Sequence, residues 1–186
     1  MNAYDFDPAK LRTARTAARI SVARIGHEVG VSAQTVTRYL AGTRAPELQL
    51  LPRLAEAVGV APADLCTVEH ERLRLIHLRA FTGRSGAEMA HVLGIAEETY
   101  RRWETTGRHG LRPHYDADRD EWIEWEDRAA PAFATTPKRL RAAQLHTEAY
   151  WPLLQELRWQ RTREARPEWA AMVETIAENA PGRPSH

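Results

Sequence analysis

The chain of 186 residues has one cysteine, two lysines and no long apolar run, and each shortage removes a class of protein. Cys66 alone can form neither an intrachain disulfide nor a thiolate metal cluster, and its apolar helical setting suits a small packing residue. Nothing approaches the roughly 18 consecutive apolar residues of a membrane span, and the start lacks the basic-then-apolar pattern of a secretion signal, so a soluble cytoplasmic protein is expected. Also missing are a phosphate loop, a dinucleotide fingerprint and a nucleophile elbow. His27-Glu28 has no second histidine four residues on, as a zinc helix requires. Asp116-x-Asp118-x-Asp120 begins like a calcium loop but puts Glu121 where the sharp turn needs glycine; aspartates opening a short acidic helix over 116–127 fit better. His109 and His114 lie in a loop without carboxylate or cysteine partners and are expected to be solvated. The chain is therefore expected to be no enzyme and to hold no cofactor and no metal.

Net charge is only +1, little for a chain that must neutralise phosphates, but the distribution changes that picture. Residues 1–68, 69–115 and 131–186 each carry +2, and the segment 116–130 carries −5, so one acidic stretch conceals three mildly basic ones. The basic residues other than Lys10 and Lys138 are all arginine, a bias of genome composition that says nothing about mechanism.

A repeat is present at an offset of 64 residues. Leu11, Arg15 and Ser21 align with Leu75, Arg79 and Ser85; Ile25 and Val29 with Met89 and Leu93; Gly30, Val31 and Thr35 with Gly94, Ile95 and Thr99; Arg38 and Tyr39 with Arg102 and Trp103. In the first copy Asp7-Pro8 opens a helix over 8–18, Ser21 caps one over 22–29, Gly30 supplies a sharp turn, Ser32 caps a third over 33–41 closed by Gly42, and a fourth follows Pro46. No alternating strand-like run interrupts them. The second copy keeps three helices, over 75–81, 85–93 and 96–103, then departs: a longer exit runs Gly107 to Pro113 and no Leu-rich fourth helix follows. Residues 137–150 and 152–165 predict two helices separated at Trp151-Pro152, and Pro167 opens a last one. The expected divisions are 1–68, 69–113, an acidic loop and short helix over 114–136, C-terminal helices over 137–180 and a tail over 181–186.

Two helices joined at Gly30 with a serine cap just afterwards form a helix-turn-helix, which presents its second helix to a DNA groove. The residues Ile20-Ser21, Ile25-Gly26, Gly30-Val31-Ser32, Val36, Tyr39 and Gly42 to Pro46, followed by Leu48 to Val60 and Pro62 to Leu65, resemble the Cro/CI-type (xenobiotic-response-element-like) helix-turn-helix family. That resemblance implies an all-α protein with tandem five-helix-type units plus C-terminal helices. Many members have Gln after the serine that caps the second helix, where it touches a phosphate; this chain has Val22.

The helix over 33–41 turns Val36, Tyr39 and Leu40 inward and leaves Ala33, Gln34, Thr37 and Arg38 for the major groove. Gln34 suits adenine N6 and N7, Arg38 guanine or a phosphate, and Ala33 and Thr37 thymine methyls. Ser32 at the cap and Arg44 beyond the helix complete the candidate DNA-binding set. The second copy offers Glu97, Glu98, Arg101 and Arg102, which either read DNA or form surface i, i+4 pairs. The function expected is a sequence-specific double-stranded-DNA-binding transcriptional regulator, a repressor on its operator, acting in the cytoplasm on the nucleoid. Open alternatives are a DNA-marking protein for plasmid, phage or chromosome-end maintenance, an antitoxin, or a protein-interaction adaptor whose helix-turn-helix units read nothing. The stripe from Leu140 through Leu157 is either intrachain core or a homodimer interface, and the acidic or C-terminal segment can take a protein partner.

Overall fold

A computed structural model describes residues 4–110, 112–118 and 120–178; the expected tail over 181–186 lies outside them. The chain is all-α in character: α1 (Pro8–Ala18), α2 (Val22–Val29), α3 (Ala33–Ala41), α4 (Leu51–Ala57), α5 (Leu75–Thr82), α6 (Gly86–Leu93), α7 (Glu97–Thr106), α8 (Trp125–Ala129), α9 (Pro137–Ala165) and α10 (Pro167–Glu178). One antiparallel hairpin, β1 (His114–Asp116) with β2 (Glu121–Ile123), is the sheet among the described residues. Two compact units divide the chain, Met1–Glu148 and Ala149–His186.

Within the first unit the chain caps its helices as its sequence dictates. Asp7 accepts from the Ala9 N–H with Pro8 at the first helical position, Ser21 accepts from Arg24 N, and Ser32 from Thr35 N. Leu11, Ile25, Val36, Leu51, Leu54 and Leu65 are fully buried in one core, each contributing roughly 1.5–3 kcal/mol by leaving water. An N-terminal strap closes this core. The Asp7 N–H donates to the Leu65 carbonyl at 2.8 Å, the Thr67 N–H to Asp5 at 2.8 Å, and Tyr4 donates its hydroxyl proton to the Pro46 carbonyl. Cys66 is buried, and burial pushes its thiol up to about 12, so it is an inert packing residue.

A second core gathers around Trp103, which is fully buried. Its indole meets Trp125, Phe133 and His109 with ring centroids 5.6–5.7 Å apart, near edge-to-face, and Nε1 donates to Gln144 Oε1 at 3.1 Å. The Leu-rich fourth helix absent after α7 has a replacement further along. A 3-10 turn over Ala130–Phe133 packs on α5 and α6, and Leu140 and Ala143 from the start of α9 join the same core. At Gly107 the exit of α7 crosses α9 so closely that a Cβ would lie 2.7 Å from the Gln144 carbonyl oxygen. Helix α5 belongs to both cores, with Ala80 and Phe81 on the first and Leu75 and Leu78 on the second.

Three expectations are corrected. The expected helix over 116–127 is confined to its end: Tyr115 pairs with Trp122 across a hairpin, the Asp118 N–H bonds Asp116 Oδ1 at 3.0 Å in an Asx turn, and Asp120 takes a left-handed φ of 53°, so the aspartates build a turn and helix begins only at Trp125. The short helix is α8. His109 is half-buried between Trp103 and Trp125, and desolvation lowers its pKa. Pro152 does not begin a helix but sits inside α9, which forgoes the one amide bond that proline cannot make.

Candidate nucleic-acid interface

Helices α2 and α3 meet at the turn Gly30-Val31-Ser32, and two glycines allow it. Gly30 ends α2 with a φ of 83°. Gly26, buried in α2, faces the backbone of the turn: a Cβ there would lie 2.7 Å from the Val31 oxygen and 3.2 Å from the Ala33 nitrogen. The sequence names Gly26 but gives no reason for it, because the close approach arises only once the helices cross.

The register of α3 follows from its apolar residues. Val36 and Tyr39 are buried and Leu40 is half-buried against the first core, which leaves Ser32, Ala33, Gln34, Thr37 and Arg38 exposed, with Arg44 exposed just beyond. Thr37 donates its hydroxyl proton to the Ala33 carbonyl at 3.1 Å, so its methyl group and a lone pair face outward. Ser32 spends its hydroxyl on capping, at 3.1 Å from Thr35 N and 2.9 Å from Thr35 Oγ1, and its part in the face is to hold the helix start. Arg44 lies 3.7 Å from Glu47, and both are exposed, so the pair is weak. Two arginines that sequence reasoning missed brace the far ends: Arg12 donates to the Leu40 carbonyl at the end of α3, and Arg53 to the Glu28 carbonyl at 2.9 Å at the end of α2. Their partners are remote in sequence, so no local pattern marks them.

The segment at the 64-residue offset has the same local chemistry with different surface residues. Ser85 and Glu88 form a reciprocal cap on α6, with Ser85 N–H to Glu88 Oε2 at 2.6 Å and Glu88 N–H to Ser85 Oγ at 3.1 Å, which lowers the Glu88 carboxyl pKa. Gly94 ends α6 in the left-handed region, and α7 buries Tyr100 and Trp103. Its outer side carries Glu97, Glu98, Arg101 and Arg102, all exposed. Glu98 bonds Arg101 rather than Arg102, an i, i+3 pair in place of the i, i+4 pair expected. Arg79 binds Glu104 bidentately, Nη2 to Oε2 at 2.8 Å, and also donates to the Arg84 carbonyl; Arg15 repeats that carbonyl contact, to Ile20, but the position 64 residues before Glu104 is Leu40, and the Arg15 Nε is buried without a partner.

A helix, a glycine turn and a second helix with a polar outer face define the helix-turn-helix class. Residues 9–66 match a family model described as a helix-turn-helix domain. Neither the curated proteins nor the solved structures give a match. A helix-turn-helix domain is a DNA-binding module, and DNA binding is the function this match indicates. Among the described residues no helix is long and apolar enough to cross a membrane.

Proposed function

We propose that the chain is a sequence-specific DNA-binding regulator of the Cro/CI type that occupies an operator as a homodimer and represses transcription. One observation carries this reading: α3 is locked across α2 by the Gly26 contact while Gln34, Thr37 and Arg38 stand exposed on its outer side with no carboxylate among them. Gln34 pairs with an adenine edge, Thr37 meets a thymine methyl, Arg38 reaches guanine or phosphate, and Arg44 contacts the backbone. Ala33 gives the bases room. The segment α5–α7 is a second copy of the unit, supported by the shared serine caps, the glycine turn and the Arg79 and Arg15 contacts. Glu97 and Glu98 head its outer helix, so this copy contributes selectivity through repulsion or cytosine contacts rather than affinity.

Selection from random duplexes at two salt concentrations tests the reading. A site should be enriched, and Gln34→Ala should relax one base position at a cost of about 1–3 kcal/mol. Enrichment of no sequence sinks the proposal. A second reading, protein contact through the acidic segment, is favoured by the hairpin, where Trp122 is 69 % and Tyr115 43 % exposed amid Asp116, Asp118 and Glu121.

A further inference from the structure

The unit Ala149–His186 is helical through 165 and again from 167 to 178, yet among its described side chains none is buried. A helix as short as α10 is marginal in water unless one face is covered, and Pro152 removes a backbone bond from α9. What the unit covers for itself is small: Trp159 tilts against Trp169 with centroids 5.9 Å apart, and Arg158 lies 5.8 Å over Trp151. Even so, Leu153 is 58 %, Leu157 41 %, Trp169 44 % and Met172 52 % exposed. Leu153 and Leu157 are one turn apart on α9, and Trp169 and Met172 one turn apart on α10, so each helix carries its own apolar stripe.

We infer that this helical pair is the dimerisation element and that its occupant is the same pair from a second copy of the chain. Area is the first argument. The four exposed side chains together leave on the order of 400 Å² of apolar surface in water, about half of the roughly 800 Å² per partner that a stable interface covers, which is the apolar share such interfaces have. Charge is the second. The exposed rim holds Arg158, Arg161 and Arg163 beside Glu156, Glu164 and Glu168, a mixture of signs that complements itself under a twofold axis; a nucleic acid or a strongly basic partner would match only half of it. The inference concerns the protein alone and stands whether or not α3 reads DNA, although the homodimer of the proposed function rests on it.

The test is the mass of the full chain by sedimentation velocity from about 1 to about 100 µM, without DNA. The wild type should show twice the 21.1 kDa chain mass, and Leu153→Glu with Leu157→Glu should return it to the single-chain mass. Far-UV helicity and the near-UV signal of the Trp103 core report that the first unit remains folded. A second pair of variants guards against a folding artefact: Arg158→Glu with Arg161→Glu, and Glu156→Arg with Glu164→Arg, should each fail to self-associate and should recover the double mass when mixed. A wild type that stays at 21.1 kDa over the whole range, or a dimer untouched by the leucine substitutions, overturns the assignment. A dimer that enriches no DNA sequence would sink the regulator reading while leaving this one intact.

Discussion

Acidification should unfasten the joint between the N-terminal strap and α5, because the buried imidazole of His77 is held neutral there. His77 is fully buried; its Nδ1 accepts the Arg74 N–H at 2.8 Å, and its Nε2 lies 3.2 Å from Asp5 Oδ2, which also takes Arg74 Nη2 at 2.9 Å. Nδ1 is occupied as an acceptor, so the Nε2–H tautomer donates to Asp5. A second proton would have to displace the Arg74 N–H and put a cation beside the guanidinium. Burial first, then Arg74, lower the His77 pKa from 6.5 to about 4, with Asp5 opposing both. The unfolded chain therefore binds the proton more readily between these values, and stability is complete above about pH 6.5 and falls as pH drops toward 4. Between pH 7.5 and pH 5 the expected loss is roughly 2 kcal/mol. His77→Gln can accept from Arg74 and donate to Asp5 but cannot titrate. Urea unfolding of both proteins across this range isolates the histidine: the stability difference should move by roughly 2 kcal/mol in favour of the glutamine variant as pH falls. A difference independent of pH would refute the account.

Gly26→Ala gains helix propensity but forces a methyl group onto the Val31 and Ala33 backbone, so a net loss of about 1–3 kcal/mol in urea unfolding is expected. Gly86→Ala, where the nearest atom is Tyr100 at 3.9 Å, should be neutral or stabilising and serves as its control. Leu40→Glu places in the first unit the carboxylate that Glu104 supplies to Arg79; satisfying the buried Arg15 Nε should raise stability by about 1 kcal/mol, and a lower midpoint would show that the two positions are not equivalent.

The first sixty residues were legible because each boundary has a local cause. Asp7-Pro8, Ser21, Ser32 and the glycines at 30 and 42 act within a few residues of themselves, and the observed helices start and stop where those residues require. What stayed hidden depends on partners remote in sequence. His109 reads as a loop residue until Trp125 arrives beside it, and the cover for α6 comes from Ala130–Phe133, far along the chain from it. The acidic segment was misjudged for a different reason: aspartates favour a helix start and an Asx turn alike, and the aromatic pair Tyr115 and Trp122, opposite one another only in a hairpin, decides between them. Pro152 misled because its cost is local while α9 runs through it.

Charge is sorted along this chain in a way that bears on both the proposed DNA face and the proposed dimer. The outer side of α3 offers Arg38 and, beyond it, Arg44, while Arg24 on α2 is engaged by Glu28 at 2.8 Å. A duplex laid against α7 meets Glu97 and Glu98 first, and the hairpin adds Asp116, Asp118 and Glu121. Each neutralised phosphate contributes through release of its counterion, so a single copy that offers Arg38 and the weakly paired Arg44 holds a duplex weakly. Linking two copies makes the second contact intramolecular and multiplies the affinity without adding a charge to either. On the proposed reading, the scarcity of cations on α3 and the exposed apolar side chains of 149–178 are complementary: the first would leave an affinity that one chain does not supply, and the second would provide the surface through which a second chain supplies it.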